Sequence, residues 1–315
     1  MADFNDDLLD PTPAFEFYRR RTAGETLSDA FEFARLHFRE LFGGLLVIVG
    51  PFLLMSAIVS ARFQMASFGF ATTDPDTLDG LVDFYTDLAP MFIFSSLSSL
   101  VVYTLMAAAT FAFVHLVLDG EAGHITPGVL WAQTRPLLGR LIAISLLSTL
   151  IFVLGFALNI IPCLGSLAWL VGAIYLLPVF WLWQAASVYG TRSIGGAFGE
   201  VRALVKGSWG GAFGALLLVS IAMVAIGFLI GLPGIIVSFL VGYGSVDPGS
   251  MEPLLRVLTV SGTILASLGT FAYALLYLGA ALYYFNLVER SEAVGLERRV
   301  DDLDDFDSPE APPAW

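Results

Sequence analysis

Three aspartates, Asp79, Asp83 and Asp87, recur every four residues, a spacing that stacks carboxylates along one helical face. Two of them could bridge a divalent cation, which takes hard oxygen ligands. The plainer reading is a solvated acidic stripe, with Leu78, Leu81, Val82, Tyr85 and Leu88 on the opposite face of a short amphipathic helix. His115 lies near the inner end of an apolar run. An ionisable group at membrane depth marks function by default, but a neutral imidazole bonded to a carbonyl or headgroup suits this position better. Asn159, Gln184 and Asn286 sit near the ends of apolar runs, where interhelical hydrogen bonding is the usual role of an amide. His37 and His124 read as interface residues. The lone cysteine, Cys163, permits no disulfide and no CxxC metal pair. No Ser/His/Asp or Cys/His arrangement, HExxH or paired intramembrane carboxylate is legible. We therefore expect no catalysis, no cofactor and no metal.

The second chemistry is basic and repeated. Leu27, Ala30, Phe31, Ala34 and Phe38 match Ile194, Ala197, Phe198, Val201 and Val205 at an offset of 167. Their spacing of 3, 4, 7 and 11 places each set on one helix face. At the same offset Arg35 meets Arg202 and Arg39 meets Lys206, so basic residues fall on the other face. Such helices can sink an apolar side into the headgroup boundary while Arg and Lys reach lipid phosphate; the alternative is that they only cap a bundle. A weaker third copy begins near Ile125, where Thr126-Pro127 reads as an N-cap followed by proline at the first helical position. Pro136 is expected to end that helix early.

The elements that must carry these residues follow from composition. The chain has 315 residues, 57% apolar and 14% charged, with mean hydropathy +0.79. Soluble domains carry about 25% charged residues, so a soluble globule and a disordered chain are both excluded. The expected class is all-α, a polytopic transmembrane helical bundle. Six spans are read, near residues 41–61, 90–118, 141–161, 164–186, 209–232 and 257–288, and none has Asp, Glu, Lys or Arg in its interior. They form three hairpins, each preceded by an amphipathic helix. Pro51 and Pro178 predict kinks, and Pro233-Gly234 predicts the end or a bend of the fifth span. The sixth run is long enough to require tilt or an extra turn. Small-xxx-small spacing at Gly207/Gly211, Gly210/Gly214 and Gly227/Gly231 predicts close helix approach.

No apolar h-region lies in the first forty residues, so the first span should serve as signal anchor. Of the 15 basic residues, 13 fall on one side of the six spans and only Arg62 and Arg256 on the other. Both termini are therefore expected in the cytoplasm and the chain in the cytoplasmic membrane. A net charge of −13 excludes nucleic acid as a partner. Residues 1–24 are expected as a mobile polar segment, 25–300 as one transmembrane domain with an outer loop at 62–89, and 301–315 as an acidic disordered tail.

The segment Ser193-Ile194-Gly195-Gly196-Ala197-Phe198, running on to Lys206-Gly207-Ser208-Trp209, resembles part of a bacterial multi-pass membrane family. So does Tyr283-Tyr284-Phe285-Asn286-Leu287-Val288-Glu289-Arg290-Ser291-Glu292 with Gly295-Leu296. The family is related to the membrane domain of glycerophosphodiester phosphodiesterases, and the resemblance covers roughly residues 172–303. It implies an all-helical membrane module. Phosphodiesterase activity belongs to a separate soluble barrel in fused members, so no catalytic residue carries over. The leading expectation is a non-enzymatic membrane protein that binds membrane lipid, or another membrane protein, through Arg35, Arg39, Arg202 and Lys206. A permease or flippase-like transporter and, last, a lipid-modifying enzyme are the alternatives.

Overall fold

The computed structural model describes residues 15–70, 78–161, 163–190, 193–242, 257 and 260–292. Side-chain surroundings within these ranges are described except at 63–70, 78–81, 83–85, 87, 88, 91, 234 and 237–242. Every regular element among the described residues is helical. The order is α1 (Ala23–Leu36), α2 (Phe38–Ile48), α3 (Gly50–Phe70), α4 (Leu78–Leu118), α5 (Pro127–Phe156), α6 (Leu164–Tyr189), α7 (Ile194–Lys206), α8 (Trp209–Gly242), α9 (260–268) and α10 (Tyr273–Glu292). Short 3₁₀ turns join α5 to α6 at Ala157–Ile160 and α9 to α10 at Gly269–Ala272. Among the described residues, five helical stretches are long and apolar enough to cross a membrane, and the bent pair α2–α3 brings the number to as many as six.

Helix ends follow local chemistry. Thr22, Thr126 and Ser193 cap α1, α5 and α7, each side-chain oxygen accepting the backbone N–H three residues on. Glu25 returns a bond to the Thr22 N–H at 2.6 Å and completes a capping box. After α4, the Glu121 N–H reaches Leu116 O and the Gly120 N–H reaches Val117 O. That Schellman closure needs the positive φ of 82° that Gly120 supplies.

Proline behaves differently in different places. The bend of 56° between α2 and α3 falls at Val49, which puts Pro51 in the first turn of α3, where its missing N–H leaves no bond unmade. The expected early stop at Pro136 does not occur, and α8 does not end at Pro233: α5 and α8 run through both. Each proline removes one ladder bond. In a stretch this apolar, unwinding would orphan several more with no water to take them, so the helix continues. The interruption comes instead in the sixth run, at the 3₁₀ turn. There a Cβ on Gly269 would stand 3.2 Å from the Gly227 backbone, and a Cβ on Gly231 would stand 3.8 Å from Ala266. Close approach at the 227/231 pair is as expected. Gly207, Gly210 and Gly214 face open space.

Burial sorts the helices into a centre and a ring. Every residue from Ala274 to Leu287 in α10 is buried, as is every residue from Thr104 to Val114 in α4. In α5, α6 and α8, by contrast, large apolar side chains such as Leu150, Leu154, Leu167, Leu170, Val224 and Leu229 are exposed. Helices buried all round form the core, and helices with an apolar outer face meet lipid. Small residues let neighbours approach α10: a Cβ on Gly279 would stand 3.0 Å from Val219. Tyrosine hydroxyls tie the centre together, Tyr277 donating to Tyr103 O and Tyr189 to Phe111 O, both at 3.2 Å.

Candidate functional site at the basic end of the bundle

One end of the molecule gathers the start of α1, the ends of α4, α6 and α10, and α7. The groups that tie it together are polar. Residues 15–22 precede α1 and fall inside the segment expected to be mobile, yet they are packed. Phe17 and Arg21 are buried, and the Phe17 and Tyr18 rings lie edge-on to Phe285 with centroids 5.7 and 5.0 Å away.

Arg21 is the centre of this end. Its side chain has no exposed surface. Nε donates to Asp29 Oδ2 at 2.6 Å, Nη1 to Phe17 O at 2.6 Å, and Nη2 to Glu16 O. The Arg21 backbone N–H donates to Asn286 Oδ1 at 2.8 Å. Arg290, one turn further along α10, donates from Nε to the same Asn286 oxygen at 3.1 Å and from Nη2 to Arg21 O at 2.9 Å. Two donors on one oxygen fix the amide orientation of Asn286; its Nδ2 is buried without a partner. Arg19 grips Asp29 with both carboxylate oxygens within 2.7 Å of its Nη2. Asp29 thus serves two guanidinium groups, a bidentate geometry that Lys could not reproduce.

The electrostatics follow burial. Removal from water lowers the Arg21 pKa from its ordinary value, with Asp29 opposing. Arg19 lies nearer the surface, and its hydrogen bonds to Asp29 raise its pKa. The capping bond from the Thr22 backbone holds the Glu25 carboxyl below the usual range. Burial also lowers His37, at the α1–α2 junction, against the smaller pull of Glu40.

The sequence candidates are placed as follows. Arg35 lies in the last turn of α1 and Lys206 in the last turn of α7, where the helix dipole favours cations. Arg39 belongs to α2, beyond the junction at His37, and Arg202 to α7. All four are exposed, and none makes a hydrogen bond or ion pair among the described residues. The two pairs ride on different elements, with α1 and α7 both packed on α10. Phe31, Leu36 and Phe38, exposed by 40%, 61% and 58%, surround Arg35 and Arg39. The buried face of α1 is Thr26, Asp29, Ala30, Phe33 and Ala34 rather than one through Phe31 and Phe38.

The other candidates do not converge. His115 Nδ1 lies 3.0 Å from Asp119 Oδ2 within its own helix end, while Asn286 is engaged by Arg21 and Arg290. Asn159 donates to Phe156 O at 2.7 Å, a local helix-end bond. Cys163 is exposed at positive φ in the turn before α6. The side chains of Asp79, Asp83 and Asp87 lie outside the described residues, as does the tail at 301–315. The Arg21–Asp29–Asn286 cluster was not read from sequence. The signal was there in Thr22-x-x-Glu25, a capping box immediately after three arginines. Comparison with family models, curated proteins and solved structures finds no match for this chain.

Proposed function

We propose that this chain is a six-span protein of the cytoplasmic membrane, without catalysis of its own, that holds anionic lipid headgroups at its cytoplasmic face through Arg35, Arg39, Arg202 and Lys206. The observation that carries this reading is four exposed cations without protein partners, two of them set among exposed Phe31, Leu36 and Phe38. Apolar side chains beside free basic groups suit the boundary between acyl chains and phosphates.

Six spans rather than five are supported by parity. Arg21 and Arg290 are in contact, so both described ends of the chain share one end of the bundle. That requires an even number of crossings, and the bent α2–α3 pair then counts as one. The excess of basic residues at that end supports a cytoplasmic location. The match between the first and third repeat units is supported by burial, in a register one turn away from the sequence match. Aligning the caps Thr22 and Ser193 gives an offset of 171. Buried Thr26, Ala30 and Ala34 then meet buried Ala197, Val201 and Val205, and Leu41, Gly44, Leu45 and Ile48 meet Ala212, Ala215, Leu216 and Val219. In this register Asp29 meets Glu200, and both acids serve α10 or its latch: Tyr284 donates to Glu200 Oε1 at 3.1 Å. The likeness to the phosphodiesterase-associated membrane family fits a helical module of this kind.

The test is lipid retention. The fourfold variant R35E/R39E/R202E/K206E should elute as the wild type does, yet carry less phosphatidylglycerol through purification, counted by native mass spectrometry. Equal retention by the two proteins would overturn the reading. A permease is the second reading, favoured by a polar cleft away from the basic end.

A further inference from the structure

Three helices of this bundle each present a pair of hydroxyl residues four apart toward the same space. α3 contributes Ser56 and Ser60, α4 contributes Ser99 and Tyr103, and α9 contributes Thr263 and Ser267. The i, i+4 spacing stacks each pair on one helix face. Thr270, in the 3₁₀ turn that interrupts the sixth run, completes the polar lining of a cleft of about 230 Å³. No lining residue is charged. The larger groove between α5 and α6, about 490 Å³, is walled mainly by Phe152, Val153, Phe156 and Trp169 and suits acyl chains instead.

Four hydroxyls of the cleft differ from others in the bundle and from Ser267 beside them, which donates to Ile264 O at 2.6 Å. In membrane helices Ser and Thr commonly return their proton to the carbonyl one turn back, as Thr134, Thr149, Ser208 and Ser220 do here. Ser56, Ser60, Ser99 and Thr270 make no such bond among the described residues. Hydroxyls without partners are unfavourable in an apolar surrounding, so the cleft calls for an occupant that hydrogen-bonds. A wall of hydroxyls both donates and accepts and carries no charge, which selects a neutral partner of the same kind. The volume equals roughly eight waters at about 30 Å³ each and falls below the range of drug-sized pockets.

We infer that this cleft is a binding site for a small uncharged polyol group, either free in solution or as the headgroup of a lipid. The site is independent of the lipid-phosphate reading, since none of the four basic residues lines it.

The experiment uses full-length protein in proteoliposomes, with Cys163→Ser removing the only native thiol and Ser99→Cys placing one in the cleft. A small uncharged thiol reagent should modify that cysteine, and glycerol should slow modification severalfold. If the natural occupant is a headgroup, phosphatidylglycerol slows modification relative to phosphatidylcholine while glycerol does not. Adding Ser56→Ala should leave modification intact and weaken protection about fivefold, the equivalent of one hydrogen bond of about 1 kcal/mol. Absence of modification in protein that elutes as the wild type does would overturn the inference, because the cleft would be dry. Modification unchanged by glycerol and by phosphatidylglycerol would overturn it as well.

Discussion

An arginine with no exposed side-chain surface is tolerable only while its partners stay in place. Removing one member of a buried ion pair costs about 3–5 kcal/mol, because the other is left charged and dry. Arg21→Ala and Asp29→Ala should therefore each lower the melting temperature sharply in detergent. The double variant should lose less than the two losses added together, which a thermal-shift cycle measures directly. His37 gives a pH signature. Burial between the Phe33 and Phe113 rings lowers its pKa below the ordinary 6.5. Its contribution to stability is whole above that value and is lost as pH falls through the lower value held in the folded chain. Melting followed from about pH 8 to about pH 5 should fall less steeply in His37→Gln than in the wild type. At this scale the sequence exposed the four surface cations and left Arg21 among the counted charges. Burial depends on Asp29 two helix turns beyond the cap and on Asn286 at a separation of 265 residues, and no local pattern carries that pairing.

Among elements, the capped start at Thr126 was legible because a cap is a local match between one side chain and one amide. The burial register was not. Of the apolar set matched at 167, Ala30 and Ala34 are buried while Phe31 and Phe38 are exposed, and the buried face of α1 runs instead through Thr26, Asp29 and Phe33. Prolines misled for a related reason: propensity measured in water overstates their power to stop a helix in hydrocarbon. The α5–α6 turn offers a test. A Cβ on Gly165 would run into the Leu158 carbonyl oxygen, a backbone atom that cannot swing aside. Gly165→Ala should destabilise the protein by about 1–3 kcal/mol, read as a lower melting temperature, whereas Gly210→Ala, facing open space, should be neutral or slightly stabilising.

For the whole molecule, the membrane class was plain from 57% apolar and 14% charged residues. Which helices take the centre was not plain, since α10 and α5 are both strongly apolar and differ in what surrounds them. Reporters at the two chain ends should read out on the same, cytoplasmic side; opposite sides would mean an odd number of crossings and a re-entrant first pair. The clasp between the segment before α1 and the end of α10 has a consequence for biogenesis. Arg21 leaves the ribosome 265 residues ahead of Asn286, a delay on the order of ten seconds to a minute at usual synthesis rates. Throughout that interval its guanidinium has its neighbours Asp29, Phe17 O and Glu16 O, but its backbone N–H lacks Asn286, and that bond forms only when α10 is delivered. A segment made before α1 is among the last to be tied down, so this seam closes the bundle only once α10 has joined it.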